Sequence, residues 1–148
     1  MDLAKTEICF IVFKPVSKVF PRNPAMDEPA LTAEILLNAY ASGYFPMSDG
    51  RHGTRLHWYH PKARGILPLE TFHIPQSLAK FMKKQPYRVT CDTAFAEVIR
   101  ACADRRVQLG EETWINDEII TLYTELFQMG FAHSVESWQD DQLVGGLY

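Results

Sequence analysis

The sequence lacks the features that identify secreted, membrane-spanning and metal-dependent proteins. Its three cysteines, Cys9, Cys91 and Cys102, show no CxxC spacing, so neither a disulfide framework nor a zinc site is expected. The apolar stretch at residues 8–13 is much shorter than the roughly 18 residues that span a bilayer, and it lacks the flanks of a signal peptide. These absences favour a protein of a reducing cytoplasm, without bound metal and without a membrane partner.

The sequence also lacks the short motifs of several enzyme classes. It contains no P-loop, GxGxxG, GxSxG or HExxH pattern, so no cofactor is predicted. His57 and His60 have a spacing that suits a metal ion on a helix, but on the strand predicted here they face opposite sides. The net charge of −3 argues against a generally basic nucleic-acid-binding protein, although a local basic patch can still bind phosphate.

A chain of 148 residues that is 47% hydrophobic fits one domain or one domain with a small appendage. Residues 1–29 form a poorly defined, proline-punctuated extension with a strand candidate at 8–13, and Met26 is an alternative start.

In the first half of the chain, Thr32 is expected to cap a helix that ends at Gly43. The residues that follow, 44–47, suggest a turn beside a proline. Strands are predicted over 56–60 and 65–67. A helix is predicted over 75–84, with Leu78 and Phe81 or Met82 facing inward.

The second half gives clearer patterns. A strand over 87–90 precedes a helix that Asp92 is expected to cap, and residues 104–112 are predicted to form a charged loop. Asn116 stands at the N-cap of a helix whose apolar face includes Met129 and which ends at Gly130. Two strands, over 132–138 and 143–148, follow with a four-residue loop between them.

Five residues in this second half could carry function, and each single residue and the glycine pair has an alternative interpretation. Trp114 precedes a helix N-terminus and could form a pocket wall, whereas a core position is the commoner outcome. Tyr123 either makes an ordinary buried hydrogen bond or contacts a ligand. The pair Gly145-Gly146 indicates a bulge or a close approach of a ligand or backbone. Glu136 could be a general base if desolvated, but a solvated position is the expected one.

Basic residues cluster near the end of the helix predicted over 75–84. Lys80, Lys83, Lys84 and Arg88 lie within nine positions of each other. Such a group could hold phosphate. Lysines at helix ends more often interact favourably with the helix dipole, so the cluster alone decides nothing.

Five segments together resemble the leucyl/phenylalanyl-tRNA-protein transferases. They are GYFPM (43–47), HWYHPKARGILPLETFHIPQSL (57–78), YRVTCDTAFAEVIRACA (87–103), TWIN (113–116) and AHSVESWQDDQLVGGLY (132–148). The resemblance covers residues 31–148. It implies an enzyme that transfers Leu, Phe or Met from aminoacyl-tRNA to proteins with N-terminal Arg or Lys, which marks them for degradation by the N-end rule. The implied fold class is α+β. The resemblance implies a small N-terminal domain over residues 30–64, followed over residues 65–148 by part of a domain similar to the GNAT acetyltransferases, which have a mixed sheet with flanking helices.

The resemblance also implies roles for individual residues. Trp114 and Tyr123 match positions that line the pocket for the 3′ end of aminoacyl-tRNA, and Leu147 matches one that lines the amino-acid pocket. Met47 stands where many members have tryptophan, so a thioether contact replaces stacking there. The residues that match the family's contacts to the tRNA body are Lys83, Lys84 and Arg88.

The family's proposed catalytic carboxylate corresponds to a position beyond Tyr148. We therefore expect the chain as given to be a fragment, or the product of a truncated gene, that is inactive or nearly so and has no catalytic residue of its own. One alternative function is a non-catalytic tRNA-binding module. Another is an acyltransferase that uses acyl-CoA, although the Gly-rich pyrophosphate loop of such enzymes is absent.

Overall fold

The computed structural model describes residues 31–63, 65, 68–84 and 86–148. The predicted extension over 1–29 lies outside the described residues, as do two of the three residues of the strand predicted over 65–67. The helices and strands are, in chain order, α1 (Ala33–Ala41), β1 (Phe45–Ser48), β2 (Leu56–Tyr59), a 3-10 turn (Leu69–Thr71), α2 (Gln76–Met82), β3 (Arg88–Cys91), α3 (Phe95–Gln108), α4 (Asp117–Gln128), β4 (Val135–Gln139) and β5 (Gln142–Leu147). None of the described helices has the length and apolar character needed to cross a membrane.

The described residues fall into two compact units. The smaller one is Pro61–Pro86, and the larger one combines residues 31–60 with Tyr87–Tyr148. In the smaller unit α2 leaves Leu78, Phe81 and Met82 exposed, so the predicted inward face is wrong. A helix of two turns buries an apolar face only against another element, and the other described element of this unit is the 3-10 turn.

The first elements of the larger unit are α1 and a β-hairpin. Thr32 caps α1 as predicted, since its hydroxyl accepts a hydrogen bond from the Ile35 N–H, and Gly43 has a φ of 82° after the helix. The residues predicted as a turn instead form β1, which pairs antiparallel with β2 from Phe45 opposite Tyr59 to Ser48 opposite Leu56.

A three-stranded antiparallel sheet in the order β3-β4-β5 follows. The loop between β4 and β5 is shorter than predicted, because the residues on either side, Gln139 and Gln142, pair with each other. Asp140 and Asp141 have φ of 48° and 63°, which matches the left-handed conformation that tight two-residue hairpins require. The register shifts between Ser137 and Trp138, which leaves Val144 as the extra residue of a bulge.

Helix α3 differs from the sequence prediction at both ends. Asp92 does not cap it, because the helix begins at Phe95 with Ala94 at the N-cap position. The Asp92 carboxylate instead accepts hydrogen bonds from the Ser134 N–H and from His133. The predicted loop over 104–112 is also wrong in part, since α3 continues to Gln108.

Helix α4 agrees most closely with its prediction. The Oδ1 atom of Asn116 accepts a hydrogen bond of 2.9 Å from the Ile119 N–H, which confirms the cap. Gly130 follows the helix with a φ of 80°. Met129 is 45% exposed, so its predicted place on the apolar face is wrong, because it lies at the C-cap where the chain leaves the core.

One hydrophobic core joins the early and late parts of the larger unit. It combines α1 and β2 with α3 and α4, and Trp58, Trp114, Phe127 and Tyr148 pack against it half-buried. Its buried members are Ala33, Leu36, Leu56, Phe95, Ile99, Ala103, Ile115, Ile119, Ile120, Leu122, Tyr123 and Leu126.

The α+β class predicted from sequence is confirmed by this arrangement of helices and small sheets. Every strand pair among the described residues is antiparallel, so the parallel pairing that a mixed sheet needs is not found in this part of the chain. The division into domains at 30–64 and 65–148 stays a prediction.

Candidate functional site

The segment before α4 is tied to the loop after β1 through main-chain and side-chain hydrogen bonds. The Ser48 N–H donates to the Trp114 carbonyl oxygen over 2.9 Å. Asn116 uses its amide for two tasks, because Oδ1 caps α4 while Nδ2 donates to the Gly53 carbonyl oxygen over 2.8 Å. The loop and the start of α4 therefore form one hydrogen-bonded frame around Trp114.

Arg51, in the same loop, joins this frame to both late helices. Its Nη1 lies 2.7 Å from Oδ1 of Asp117 at the start of α4, and its Nε lies 3.0 Å from Oδ1 of Asp104 on α3. The hydrogen bond from Arg51 is the main cause that lowers the pKa of Asp117. The sequence does not predict this role of Arg51, because nothing in residues 48–54 indicates that Asp104 and Asp117 lie within reach of its guanidinium.

Trp114 and Met47 both adjoin this frame, since the Trp114 carbonyl oxygen accepts from the Ser48 N–H and Met47 directly precedes Ser48. The Trp114 indole is half-buried and packs against the core, and Met47 is half-buried in β1. Met47 stands opposite His57 in the hairpin, and the buried Nδ1 of His57 has no hydrogen-bond partner among the described residues. The sequence suggested His57 only as a weak metal candidate, and the described residues contain no group of three or more His, Cys, Asp or Glu that could hold a metal ion.

Three tyrosines, Tyr40, Tyr123 and Tyr148, contact each other in the larger unit. The hydroxyl groups of Tyr40 on α1 and Tyr123 on α4 hydrogen-bond to each other. Burial, and then the neighbouring Tyr40 and Tyr148, raise the pKa of Tyr123 well above its ordinary value. The Tyr148 ring stands edge-on to Tyr123 with 5.6 Å between centroids, and its buried hydroxyl has no hydrogen-bond partner in the part of the chain that the structure describes. The sequence gives no sign of the pairing of Tyr40 with Tyr123, because it depends on contact between residues 83 positions apart.

Leu147 lies on β5 with 43% of its surface exposed. Successive strand residues point to opposite faces, so Leu147 and Gly146 face opposite sides of the sheet. Gly146 faces α3, where an added Cβ would lie 2.9 Å from Cγ2 of Val98. Both structural alternatives for the glycine pair are found nearby. The bulge lies at Val144, just before Gly145, and α3 is the element that closely approaches Gly146.

A cavity of about 290 Å³ lies between α3 and β5. Its apolar walls come from both elements, and Cys102 and Arg105 contribute the polar atoms. Burial raises the pKa of the Cys102 thiol. The lining residues are Val98, Ala101, Cys102, Arg105, Leu143, Val144, Gly145 and Gly146.

Glu136 on β4 is completely buried, so the expected solvated position is wrong. Its carboxylate accepts hydrogen bonds from the hydroxyls of Ser134 (2.5 Å), Thr90 (2.6 Å) and Thr93 (2.9 Å) and from the Ala94 N–H (3.3 Å). Burial by itself raises the pKa, but these hydrogen bonds outweigh it and lower the pKa to about 2. A carboxylate that is this weakly basic and fully hydrogen-bonded serves structure and is not a general base.

The predicted basic residues are divided between the units. Lys83 and Lys84 are exposed at the end of α2 in the smaller unit, and Arg88 is exposed on β3 in the larger one. The Arg88 guanidinium lies over the Trp138 ring, 5.3 Å from its centroid, and pairs with Asp141 over 3.4 Å.

Two family models match the chain. The model described as leucyl/phenylalanyl-tRNA protein transferase matches residues 66–148, and the model of that transferase's N-terminal domain matches residues 29–62. A leucyl/phenylalanyl-tRNA–protein transferase from Paramagnetospirillum magneticum is 54% identical over 118 residues, which cover 80% of this chain and 56% of the relative. One of the same name from Rhodospirillum rubrum is 51% identical over 119 residues, which cover 80% and 55%. The chain therefore spans about half the length of the curated relatives that it matches.

Proposed function

The chain belongs to the leucyl/phenylalanyl-tRNA protein transferase family, and we propose that the protein transfers Leu, Phe or Met from aminoacyl-tRNA to an α-amino group. The acceptors in this proposal are proteins that begin with Arg or Lys, and the product is marked for degradation by the N-end rule. The observation that carries the proposal is the match of both family models, in chain order, over residues 29–62 and 66–148.

The proposed reaction needs little covalent help from the protein. The acceptor nitrogen attacks the ester carbonyl, an amide bond forms, the bond to the ribose oxygen breaks, and the proton of the amine passes to that oxygen through solvent. A free α-amino group has a pKa of about 7.7–8.0, so a useful fraction is neutral near pH 7. Orientation of the substrates and stabilisation of the developing oxyanion are the expected contributions.

The frame around Trp114 suits the 3′ end of the tRNA in this proposal. An aromatic ring can stack on an unpaired base, and the half-buried Trp114 is held at its backbone by Ser48. Met47, one residue before Ser48, gives the softer contact on the opposite side. The half-buried surface of both residues supports the proposal, since a fully enclosed indole could not receive a base.

We assign the amino-acid side chain to the neighbourhood of Tyr123 and Leu147. A pocket distinguishes side chains that differ by a methylene by only about 1–3 kcal/mol, so acceptance of Leu, Phe and Met together is reasonable. For the tRNA body we assign Lys83, Lys84 and Arg88, whose contacts with phosphate give affinity that weakens with salt.

The same family membership bears on the fold of the second half of the chain and on the cellular location of the reaction. We propose that the second half of the chain is part of a GNAT-like domain, in which strands β3 to β5 contribute to a larger mixed sheet. We place the reaction in the cytoplasm, where charged tRNA and reduced cysteines are found together.

Transfer of radiolabelled Leu or Phe from charged tRNA to a protein with N-terminal Arg tests the proposal. The assay compares this chain with a longer chain that adds the unmatched part of the Paramagnetospirillum relative, and it uses an acceptor with N-terminal Ala as the control. We expect the longer chain to label the acceptor with N-terminal Arg and to leave the acceptor with N-terminal Ala unlabelled. Salt-sensitive tRNA binding without transfer by the longer chain would contradict the enzymatic proposal and favour the binding-module alternative.

A further inference from the structure

The segment of residues 48–54, called the loop below, begins with the last residue of β1 and is held to the start of α4 at three places. Two of them are the hydrogen bonds of the Trp114 and Gly53 carbonyl oxygens, which accept from the Ser48 N–H and from Asn116 Nδ2. These two links join the ends of the loop, next to β1 and β2. The middle of the loop is held by a side chain.

That side chain is Arg51, which is only 17% exposed although it lies on a surface loop. Its guanidinium reaches Asp117 with Nη1 and Asp104 with Nε, so one planar group connects the loop with α4 and α3. The fork of N–H groups allows an arginine to meet two carboxylates at once, whereas a lysine offers a single point of charge.

Met47 and Trp114 are connected through the start of this segment. Met47 directly precedes Ser48, the last residue of β1, and the Trp114 carbonyl oxygen accepts a hydrogen bond from the Ser48 N–H. A loop that moved away from α3 and α4 would carry the end of β1 with it. The spacing between the two side chains assigned to the tRNA 3′ end would then widen.

We propose that Arg51 is a positioning residue for the 3′ end of aminoacyl-tRNA. It holds the loop against both helices, and so keeps Met47 and Trp114 at the spacing that an adenosine requires. This inference rests on the proposed function, because it concerns the same ligand at the same two side chains. Arg51 itself is not assigned a contact with the ligand.

The expected effect of removing Arg51 is on ligand affinity and not on folding. The two carboxylates are 52% and 82% exposed, and ion pairs with exposed partners add little to global stability. The hydrophobic core lies in other residues. Binding and reaction geometry, in contrast, are sensitive to a misplacement of about 1 Å that a distant substitution causes.

Isothermal titration calorimetry with a phenylalanyl-adenosine analogue, in which a stable amide replaces the ester, measures this affinity. We expect Arg51→Ala to raise the dissociation constant roughly threefold to tenfold, an effect in the lower part of the range of coupling between neighbouring groups. Arg55→Ala is the matched control, because Arg55 is an exposed arginine next to the loop, and it should leave affinity unchanged. Arg51→Lys should recover part of the loss.

A spectroscopic measurement separates local displacement from a general loss of structure. In chains labelled with 5-fluorotryptophan, the Trp114 resonance, assigned with Trp114→Phe, should shift in Arg51→Ala. The Trp138 resonance, from β4, should keep its position and so report that the chain is folded. Should Arg51→Ala not fold, Asp117→Ala removes one arm of the contact and is expected to give a smaller shift and a smaller loss of affinity.

The outcomes separate the two proposals. If the unmodified chain does not bind the analogue, the assignment of Met47 and Trp114 to the tRNA 3′ end is overturned and this inference with it, whereas the proposed transfer activity is decided by the assay on the longer chain. If it binds, and Arg51→Ala or its replacement Asp117→Ala binds equally well with an unmoved Trp114 resonance, the inference alone is overturned.

Discussion

Tyr40 and Tyr123 hydrogen-bond to each other through their hydroxyl groups across 83 positions of sequence. The two partners differ in environment, because Tyr40 is 38% exposed and Tyr123 is 8% exposed. Loss of either hydroxyl therefore has a different consequence for the one that remains.

We predict that Tyr40→Phe destabilises the protein more than Tyr123→Phe does, although Tyr40 is the more exposed residue. Tyr40→Phe deprives a buried hydroxyl of its partner, which costs about 1–3 kcal/mol, whereas Tyr123→Phe leaves a hydroxyl that water can reach and costs about 0.5–1.5 kcal/mol. The free energy of unfolding in urea measures both, and the double variant should cost less than the sum. The opposite order of the two single variants would contradict the prediction.

Glu136→Gln should remove part of the acid sensitivity of the fold. The pKa of Glu136 falls from an ordinary 4.5 to about 2 in the folded chain, so its ionised form stabilises the protein above pH 4.5 and this contribution is lost as the pH falls towards 2. At neutral pH the variant should lose about 1–3 kcal/mol of unfolding free energy. Urea unfolding between pH 7 and 3 measures the slope, with Glu125→Gln, exposed on α4, as the control. If the free energy of unfolding of Glu136→Gln depends on pH as strongly as that of the unmodified protein, this carboxylate is not a source of the acid sensitivity.

Gly146→Ala should destabilise the sheet, while Gly145→Ala should be close to neutral. The added methyl group at 146 would lie 2.9 Å from Cγ2 of Val98 and 3.1 Å from the Val135 carbonyl oxygen, whereas at 145 its nearest neighbour is Cβ of Ser137 at 3.8 Å. Overpacking of this kind costs about 1–3 kcal/mol. Thermal unfolding measures both variants, and Val98→Ala combined with Gly146→Ala should recover part of the loss. Equal stability of the two glycine variants would mean that α3 moves aside without cost.

The two roles of Asn116 can be separated by substitution. Asn116→Ala removes the cap of α4 together with the link to the loop and should cost about 1–2 kcal/mol, while Asn116→Ser keeps a capping oxygen and should cost less. Hydrogen exchange of the Ile119 amide reports the cap directly, and we expect it to accelerate in the alanine variant only. Equal acceleration in both variants would show that the loop link, and not the cap, protects the helix start.

Trp114→Ala should weaken binding of the phenylalanyl-adenosine analogue severalfold, because stacking of a base on an aromatic side chain contributes about 1–3 kcal/mol. Trp114→Phe is the matched variant and should keep most of the affinity. Calorimetry measures both dissociation constants. Unchanged binding by Trp114→Ala would remove this residue from the site.

The sequence predicted best those features that depend on neighbouring residues. The cap at Asn116 and the apolar face of α4 are local patterns, and both are confirmed except for the place of Met129. The tyrosine pair and the buried Glu136 depend on contacts between residues far apart in the chain, so periodicity gave no sign of them. The contacts of Arg51 with α3 and α4 were missed for the same reason.

Asp92 shows why a local pattern can also mislead. Aspartate is a preferred N-cap residue, but it also tolerates left-handed backbone, and Asp92 has a φ of 58°. Its carboxylate accepts a hydrogen bond from the Ser134 N–H, and so links the end of β3 to the residue before β4. The same tolerance explains the short turn at Asp140 and Asp141, which composition alone had suggested to be longer.

The shared core has a consequence for any attempt to recombine this chain with its relatives. Leu36 and Leu56, from the region that matches the N-terminal family model, are buried among Ile119, Leu122 and other residues of the later helices. An exchange of residues 31–60 with those of a relative would thus replace one side of a close-packed interior. Chimeras with a junction near residue 60 should tolerate divergence on the outer surface of the hairpin, and lose cooperativity of unfolding where the grafted side chains differ in volume at these buried contacts.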